Sequence, residues 1–208
     1  MATDNKAVIV TGAASGMGLA MTIALLTNGH DVTAVDRNGE ALAELAKRAA
    51  NLRGTVNPVT ADLAQPDSFA HIAGSALIKF GRIDALVNNA GITTFAGSGN
   101  WDALDARAFE QILGVNVVGA FQMVRACAPH LKTTRGAIVN VSSIAGALGL
   151  GSSVPYVASK GAVNAMTLHL ARALAPTRCC CAATSPTTAP AAAWSRPQWR
   201  AGNGSMRW

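Results

Sequence analysis

Three side chains about two-thirds of the way along the chain could move a proton together. Tyr156 and Lys160 stand four residues apart in Tyr-Val-Ala-Ser-Lys, and Ser143 stands thirteen residues before the tyrosine. Spacing of four puts the phenol and the amine on one face of a helix. A phenol, with an ordinary pKa of about 10, is a poor base at neutral pH unless a nearby cation favours its ionised form, and Lys160 supplies that cation. A hydroxyl at Ser143 can hydrogen-bond an oxygen that passes between carbonyl and alkoxide. Taken singly, each residue has a plainer role: a rim aromatic, a solvated helix charge, a turn cap.

The elements around the three have to bring them together. A strand-like run, Ala137 to Val141, leads into Ser143, and a glycine-bearing loop from Gly146 to Gly151 can carry that serine back beside the tyrosine. At the other end of the chain, Lys6 to Thr11 is an apolar, β-branched run that breaks into Gly12-Ala-Ala-Ser15-Gly16-Met17-Gly18, followed by the helical pattern Leu19, Ile23, Leu26. Strand, glycine turn, helix is the order that lets backbone N–H groups and a helix N-terminus approach a pyrophosphate. Three glycines alone would equally make a tight turn. A second strand, Asp31 to Val35, ends at Asp36, 24 residues after Gly12, near the offset at which an acid meets a ribose 2′-hydroxyl. The two together read as a dinucleotide site.

With these motifs in order, the chain resembles the short-chain dehydrogenases/reductases from about Lys6 to Pro176. The resemblance rests on Thr11-Gly-x-x-x-Gly16-x-Gly18, Asp36, Asp62-Leu63, Asn88-Asn-Ala-Gly91, Asn116, Ser143 and Tyr156-x-x-x-Lys160. It implies that Gly12, Ser15, Gly16, Met17 and Gly18 line the pyrophosphate, that Asp62 and Leu63 sit against the adenine, and that Asn89 borders the nicotinamide-side ribose. It further implies that Asn116 helps hold a water in a proton relay from Lys160, and that Tyr156 and Lys160 border the cofactor while doing the acid–base work. On the residues alone, Asp62 could instead cap a helix and Asn88 and Asn89 could be strand-end turn residues.

Periodicity along the chain agrees with an α/β, doubly wound parallel sheet in a single domain. Helix patterns run from Glu40 to Leu52, Pro66 to Phe80, Asp105 to Leu131, interrupted by Gly114 and Gly119, and Val154 to Leu174; strand patterns run from Thr55 to Thr60 and Ile83 to Val87, giving five countable strands with those above. The family carries two more strands and a substrate-covering segment after the helix bearing Tyr156. Residues 177–208 hold no Val, Leu, Ile or Phe, three of the four cysteines (Cys179, Cys180, Cys181) and three of the four tryptophans (Trp194, Trp199, Trp208), the composition of a shifted reading frame in a GC-rich gene. The expectation is therefore a catalytic domain over 1–176 and an irregular tail over 177–208. The strand ending at Val141 is then expected to be an exposed sheet edge open to pairing with another chain.

Charge and metal chemistry narrow the function classes. Four of the 17 basic residues and none of the 11 acids lie in 177–208, so only +2 of the formal +6 belongs to the rest of the chain. With no basic residues interleaved with aromatics, nucleic acid is not an expected partner. The triple cysteine lacks the spaced pairs of a zinc site, His30, His71, His130 and His169 have no ligand spacing, and Cys127 reads as a packing residue, so no metal is expected. No long uncharged apolar span or signal-like start is legible, which points to a cytoplasmic protein away from the membrane.

The expected function is hydride transfer between a nicotinamide cofactor and a small carbonyl or secondary alcohol, in a homo-oligomer. Asp36 should accept from both ribose hydroxyls of NAD and repel the 2′-phosphate of NADP, and Ser15 stands where NADP-preferring relatives often carry a base; Arg37 argues weakly the other way. Two alternatives stand beside this one. The first is a catalytically defective or nonenzymatic NAD-binding protein, because the segment that encloses substrate is missing. The second is a sugar-nucleotide epimerase, against which the glycine spacing and chain length speak. Leu148 to Val154, Phe95 and the loop after Gly91 are the candidate substrate-pocket residues.

Overall fold

The computed structural model describes residues 5–94 and 104–174 and the backbone of 178–182. In chain order the elements are β1 (Ala7–Thr11), α1 (Gly16–Thr27), β2 (Asp31–Asp36), α2 (Gly39–Ala49), β3 (Val56–Thr60), α3 (Ser68–Phe80), β4 (Ala85–Asn88), α4 (Ala106–Leu113), a π-helical turn (Gly114–Gly119), α5 (Ala120–Thr134), β5 (Ala137–Val141), α6 (Ala145–Leu148), α7 (Val154–Ala173) and β6 (Arg178–Ala182). The strands form one parallel sheet in the order β3-β2-β1-β4-β5-β6. The order reverses between β1 and β4, and in such sheets the crevice beyond the strand ends at that reversal receives ligand.

Strand residues are apolar on both faces because helices cover both. Val8 and Val10 of β1, with Val32 and Ala34 of β2, pack against Leu26 of α1 and Leu42 and Leu45 of α2. Ile9, Val35, Leu86 and Ile138 face the opposite way and pack against Ile72 of α3, Met123 and Leu131 of α5 and Leu170 of α7. Alternate residues of one strand thus enter different cores, as a period of two requires. Pro58, which has no N–H to give a ladder, lies on β3 at the sheet edge, where that loss is tolerated.

Two expectations are corrected here. A sixth strand pairs in parallel along the whole of β5, from Ala137 opposite Arg178 to Val141 opposite Ala182, so β5 is not an edge. Ladder pairing uses backbone N–H and C=O groups, which every residue of Arg178–Ala182 carries whatever its side chain; composition therefore argued against burial but not against a strand. The long helix pattern from Asp105 divides where Gly114 and Gly119 interrupt it, the π-helical turn lying between them, and it runs on to Thr134. Taken together, Ala106–Thr134 is long and apolar enough by length and composition to cross a bilayer, where no such span was legible. Its Ile112, Met123, Val124, Cys127 and Leu131 are buried in the protein, which is the environment its apolar face occupies.

Cys127 sits in that core, and burial pushes its thiol up from 9.0 to about 12. Because the folded state holds this proton more tightly than the unfolded one, the thiol's contribution to stability is complete below about pH 9 and is lost as pH rises toward 12. At about pH 8, Cys127 should therefore resist a maleimide until the chain unfolds. Peptide mass spectrometry of the labelled protein reads this directly, and labelling of native Cys127 at the rate of a free thiol would contradict its burial.

Candidate active site

The glycine turn after β1 is shaped by three different constraints. Gly12 has φ of +65°, and a Cβ there would come within 3.0 Å of the Ala90 backbone. Gly16 has φ of +50° but open space around it, and Gly18 is buried so closely that a Cβ would lie 1.9 Å from the Gly12 carbonyl oxygen. Those close approaches let α1 start directly on the turn. Ser15 is its N-cap and makes no side-chain capping bond, so the N–H groups of the first turn are left for another acceptor. Ser15, Gly16 and the half-exposed Met17 form the solvent side of the turn.

Asn89 closes the other wall. Its Nδ2 donates to the carbonyls of Thr11 (3.0 Å) and Gly12 (3.2 Å), while Thr11 Oγ1 accepts from the N–H groups of Asn89 and Ala90, both at 3.1 Å. Between these walls runs a cleft of about 210 Å³ lined by Gly12, Ser15, Asp36, Asp62, Leu63, Gly91, Ile92 and Val115, among others. Asp36 stands at one end, each carboxylate oxygen accepting one backbone N–H, from Ala14 and from Asn38, both at 3.1 Å. That leaves a lone pair on each oxygen for a ligand. Beside it a wider recess of about 940 Å³ opens next to Arg37, Asn38, Thr60 and Asp62. Asp62 accepts from the Ala64 N–H at 2.9 Å, and Leu63 is buried against Gly119.

At the far end of the cleft stand the residues of the proton-transfer motif. Lys160 is buried, donates to the Val141 carbonyl at 2.8 Å and lies 5.7 Å from the centre of the half-buried Tyr156 ring. A Cβ on Gly91 would lie 3.6 Å from Lys160 Nζ and 3.3 Å from Asn116 Oδ1, so this glycine keeps the floor low between lysine and asparagine. Asn116 is held on three sides: it accepts from the Ile92 N–H (2.8 Å) and donates to the Ile92 carbonyl and to Ser159 Oγ, both at 3.0 Å. Its position in the π-helical turn matters, because such single turns interrupt regular helices frequently at functional sites.

The residues flanking Ser143 reach the tyrosine helix through close contact. In α6, Gly146 meets α7 so tightly that a Cβ would fall 2.4 Å from the Lys160 carbonyl carbon, and Ser142 Oγ donates to the Lys160 carbonyl at 3.2 Å. Gly151 lies against Val157 and the Tyr156 ring. Ser143 Oγ accepts from the Ala145 N–H at 3.2 Å, a bond that does not use its own proton. The hydroxyl can therefore still donate.

Sequence reading missed two residues of this cluster. Thr11 ties the end of β4 to the glycine turn, and Ser159 donates to the Tyr156 carbonyl at 2.7 Å while accepting from Asn116. Ser159 sits three residues after Tyr156, on the same helix face, and that spacing was the available signal. Of the candidate substrate residues, Leu148, Leu150 and Val154 are all exposed, at 61%, 64% and 56%, and form an apolar lip; Thr93 and Ser152 hydrogen-bond across the rim. Phe95 and residues 183–208 lie outside the described residues. No group of three or more potential metal ligands occurs among the described residues.

The sequence model of the short chain dehydrogenase family matches residues 6–199, past Pro176, where the resemblance read from motifs stops. L-fucose dehydrogenase of Bos taurus is 36% identical over 167 residues, covering 80% of this chain and 59% of its own length. The 3-oxoacyl-[acyl-carrier-protein] reductase of Thermotoga maritima is 38% identical over 180 residues, covering 84% of this chain and 70% of its own. Among solved structures, an NAD+-bound xylitol dehydrogenase superposes with a TM-score of 0.77 at 32% identity, over 83% of this chain and 66% of that one.

Proposed function

Since the chain belongs to the short-chain dehydrogenase family, we propose that it transfers hydride between a nicotinamide cofactor and a carbonyl or secondary alcohol. The observation that carries this reading is the placement of Lys160 and Asn116 beside Gly91, with Tyr156 next to the lysine, where Gly91 lines a cleft that also reaches Asp36. The cleft fits a dinucleotide: glycine backbone and an uncapped helix N-terminus for the pyrophosphate, a carboxylate for a ribose, and Asp62 and Leu63 for the adenine. When bound, the nicotinamide supplies the hydride donor or acceptor.

The chain's own residues handle the proton. In the oxidation direction Tyr156 takes the proton of the substrate hydroxyl, and Ser143 donates its O–H to the substrate oxygen. The Lys160 ammonium, fixed by the Val141 carbonyl, stabilises negative charge on the phenolate oxygen and binds the nicotinamide ribose. Asn116 orders Ile92 and Ser159 and flanks the route by which Lys160 passes a proton to water. The apolar lip of Leu148, Leu150 and Val154 beside the rim hydroxyls of Thr93 and Ser152 suits a small substrate with both polar and apolar parts. A homo-oligomer is part of the same proposal, supported by the exposed Val118, Phe121 and Leu168, which an interface between copies would cover.

The deciding experiment follows NADH absorbance with L-fucose, xylitol and a 3-oxoacyl thioester as substrates. Turnover of one of them, lost in Tyr156→Phe, is the expected result; cofactor binding with no turnover across the panel would replace it with a nonenzymatic nucleotide-binding role. Cofactor choice gives a separate prediction. The Asp36 carboxylate, pinned by two backbone N–H groups at the ribose end, should favour NAD(H) over NADP(H). Asp36→Ala should narrow or reverse that gap in fluorescence titrations. Tighter binding of NADPH by the unmodified chain would contradict the assignment.

A further inference from the structure

A pair of buried amides lies beneath both halves of the proposed active site. Asn88 of β4 and Asn140 of β5 are register partners. Asn88 Nδ2 donates to Asn140 Oδ1 at 2.9 Å and to the carbonyl of Ala120, the first residue of α5, at 3.2 Å. Asn140 Nδ2 donates in turn to Thr167 Oγ1 on α7 at 2.9 Å, and the Thr167 hydroxyl donates to the Val163 carbonyl at 2.7 Å. All three side chains are buried.

Each direction in this relay is fixed. The Thr167 proton is committed to a carbonyl, so its oxygen must accept; Asn140 must then present Nδ2 to the threonine and Oδ1 to Asn88. One end of the relay stands at the start of α5, directly after the π-helical turn that carries Asn116. The other end stands on α7 seven residues beyond Lys160, which is two turns along and on the same face. The next two residues of β5's chain also hold that helix, Val141 through Lys160 Nζ and Ser142 through the Lys160 carbonyl. Three consecutive residues, Asn140 to Ser142, thus grip α7 at two points.

Apolar contacts between helix and sheet tolerate sliding and rotation, whereas directional bonds in a low-dielectric interior do not. We propose that Asn140 and Thr167 are positioning residues, which set the axial and rotational placement of α7 so that Tyr156 and Lys160 face Asn116 and Ser143. Neither side chain takes part in the proton transfer itself. The inference rests on the proposed hydride transfer for its effect on rate, but the placement of Tyr156 can be read without turnover.

Tyr156 is the only tyrosine in the chain, so ζ-13C-tyrosine labelling gives one NMR resonance that reports the phenol. Thr167→Val keeps volume and branching and removes the acceptor; Thr167→Ser keeps the hydroxyl. The double variant Asn140→Leu with Thr167→Val leaves no Asn140 amide facing the new valine, while Asn88 Nδ2 loses one acceptor and keeps the Ala120 carbonyl, and it serves if the single variant does not fold. Expected are a displaced tyrosine resonance and a kcat reduced by roughly tenfold to a hundredfold in Thr167→Val, a displaced resonance in the folded double variant, and values near those of the unmodified chain in Thr167→Ser. An unmoved resonance with kcat within about twofold in a folded variant, impairment of Thr167→Ser equal to that of Thr167→Val, or loss of folding in both Val-containing variants would each overturn the proposal. Should the unmodified chain show no turnover, hydride transfer fails as a reading while the resonance still decides the positioning.

Discussion

Tyr156→Phe is expected to lower turnover by a factor on the order of 10² to 10⁴ while leaving NADH affinity nearly unchanged, because general acid–base catalysis contributes about that much and the substitution removes only the proton carrier. The ring stays where it is. Gly151 packs against its edge and the Tyr156 carbonyl remains bonded to Ser159, so neither contact depends on the phenol oxygen. Lys160→Ala should behave differently. Lys160 is buried, bonded to Val141 and close to Gly91, which on the proposed function is the nicotinamide end of the cleft, so its loss should weaken NADH binding as well as turnover. Steady-state kinetics beside fluorescence titration of NADH separates the two patterns. Near-normal turnover in Tyr156→Phe would remove the tyrosine from the mechanism.

The glycine turn supplies the second large effect, through a contrast between two residues of one motif. In Gly18→Ala the new Cβ would meet the Gly12 carbonyl oxygen at 1.9 Å and Asn89 Nδ2 at 2.6 Å, and the oxygen is backbone that cannot swing away. The start of α1 must then move off the turn, at a cost at or above the roughly 1–3 kcal/mol typical of overpacking, and the pyrophosphate cradle opens with it. Gly16→Ala meets nothing within 4 Å and carries only the cost of a left-handed φ, about 1–2 kcal/mol. Denaturant unfolding should rank Gly18→Ala as the more destabilised, and NADH titration should show affinity lost in Gly18→Ala and largely kept in Gly16→Ala. Equal losses in the two variants would mean that φ, and not the close helix approach, governs the turn.

The contrast also marks the limit of what a motif conveys. Three glycines, a tyrosine–lysine pair and an acid after the second strand are legible because their meaning is local: spacing on a helix, the β-branched run before a turn, the length of one βαβ unit. Those features pointed to the glycine turn, Asp36, Tyr156 and Lys160, and periodicity along the chain to the doubly wound sheet, while Asp62, Leu63, Asn89 and Asn116 joined the candidates through the family resemblance. Which glycine is held by φ and which by contact is decided by the folded turn, where Gly18 meets the Gly12 carbonyl and Asn89, Gly12 meets Ala90 and Asn89, and Gly16 meets nothing. The same holds for Asn116, whose partners Ile92 and Ser159 lie 24 and 43 residues away, and for the Asn88–Asn140–Thr167 relay, with separations of 52 and 27. Asn140 reads in sequence as one polar residue in the apolar run Ala-Ile-Val-Asn-Val, and nothing near it says that an amide and a hydroxyl wait on two other elements. The interruption at Gly114 and Gly119 was legible, but its π-helical form was not, because one extra residue per turn changes hydrogen bonding without changing composition. β6 was hidden for the complementary reason, that a ladder is made by backbone groups common to every residue in it. Side-chain pattern determined what faces a core; only the assembled fold decided which distant polar groups and bare backbone edges would meet.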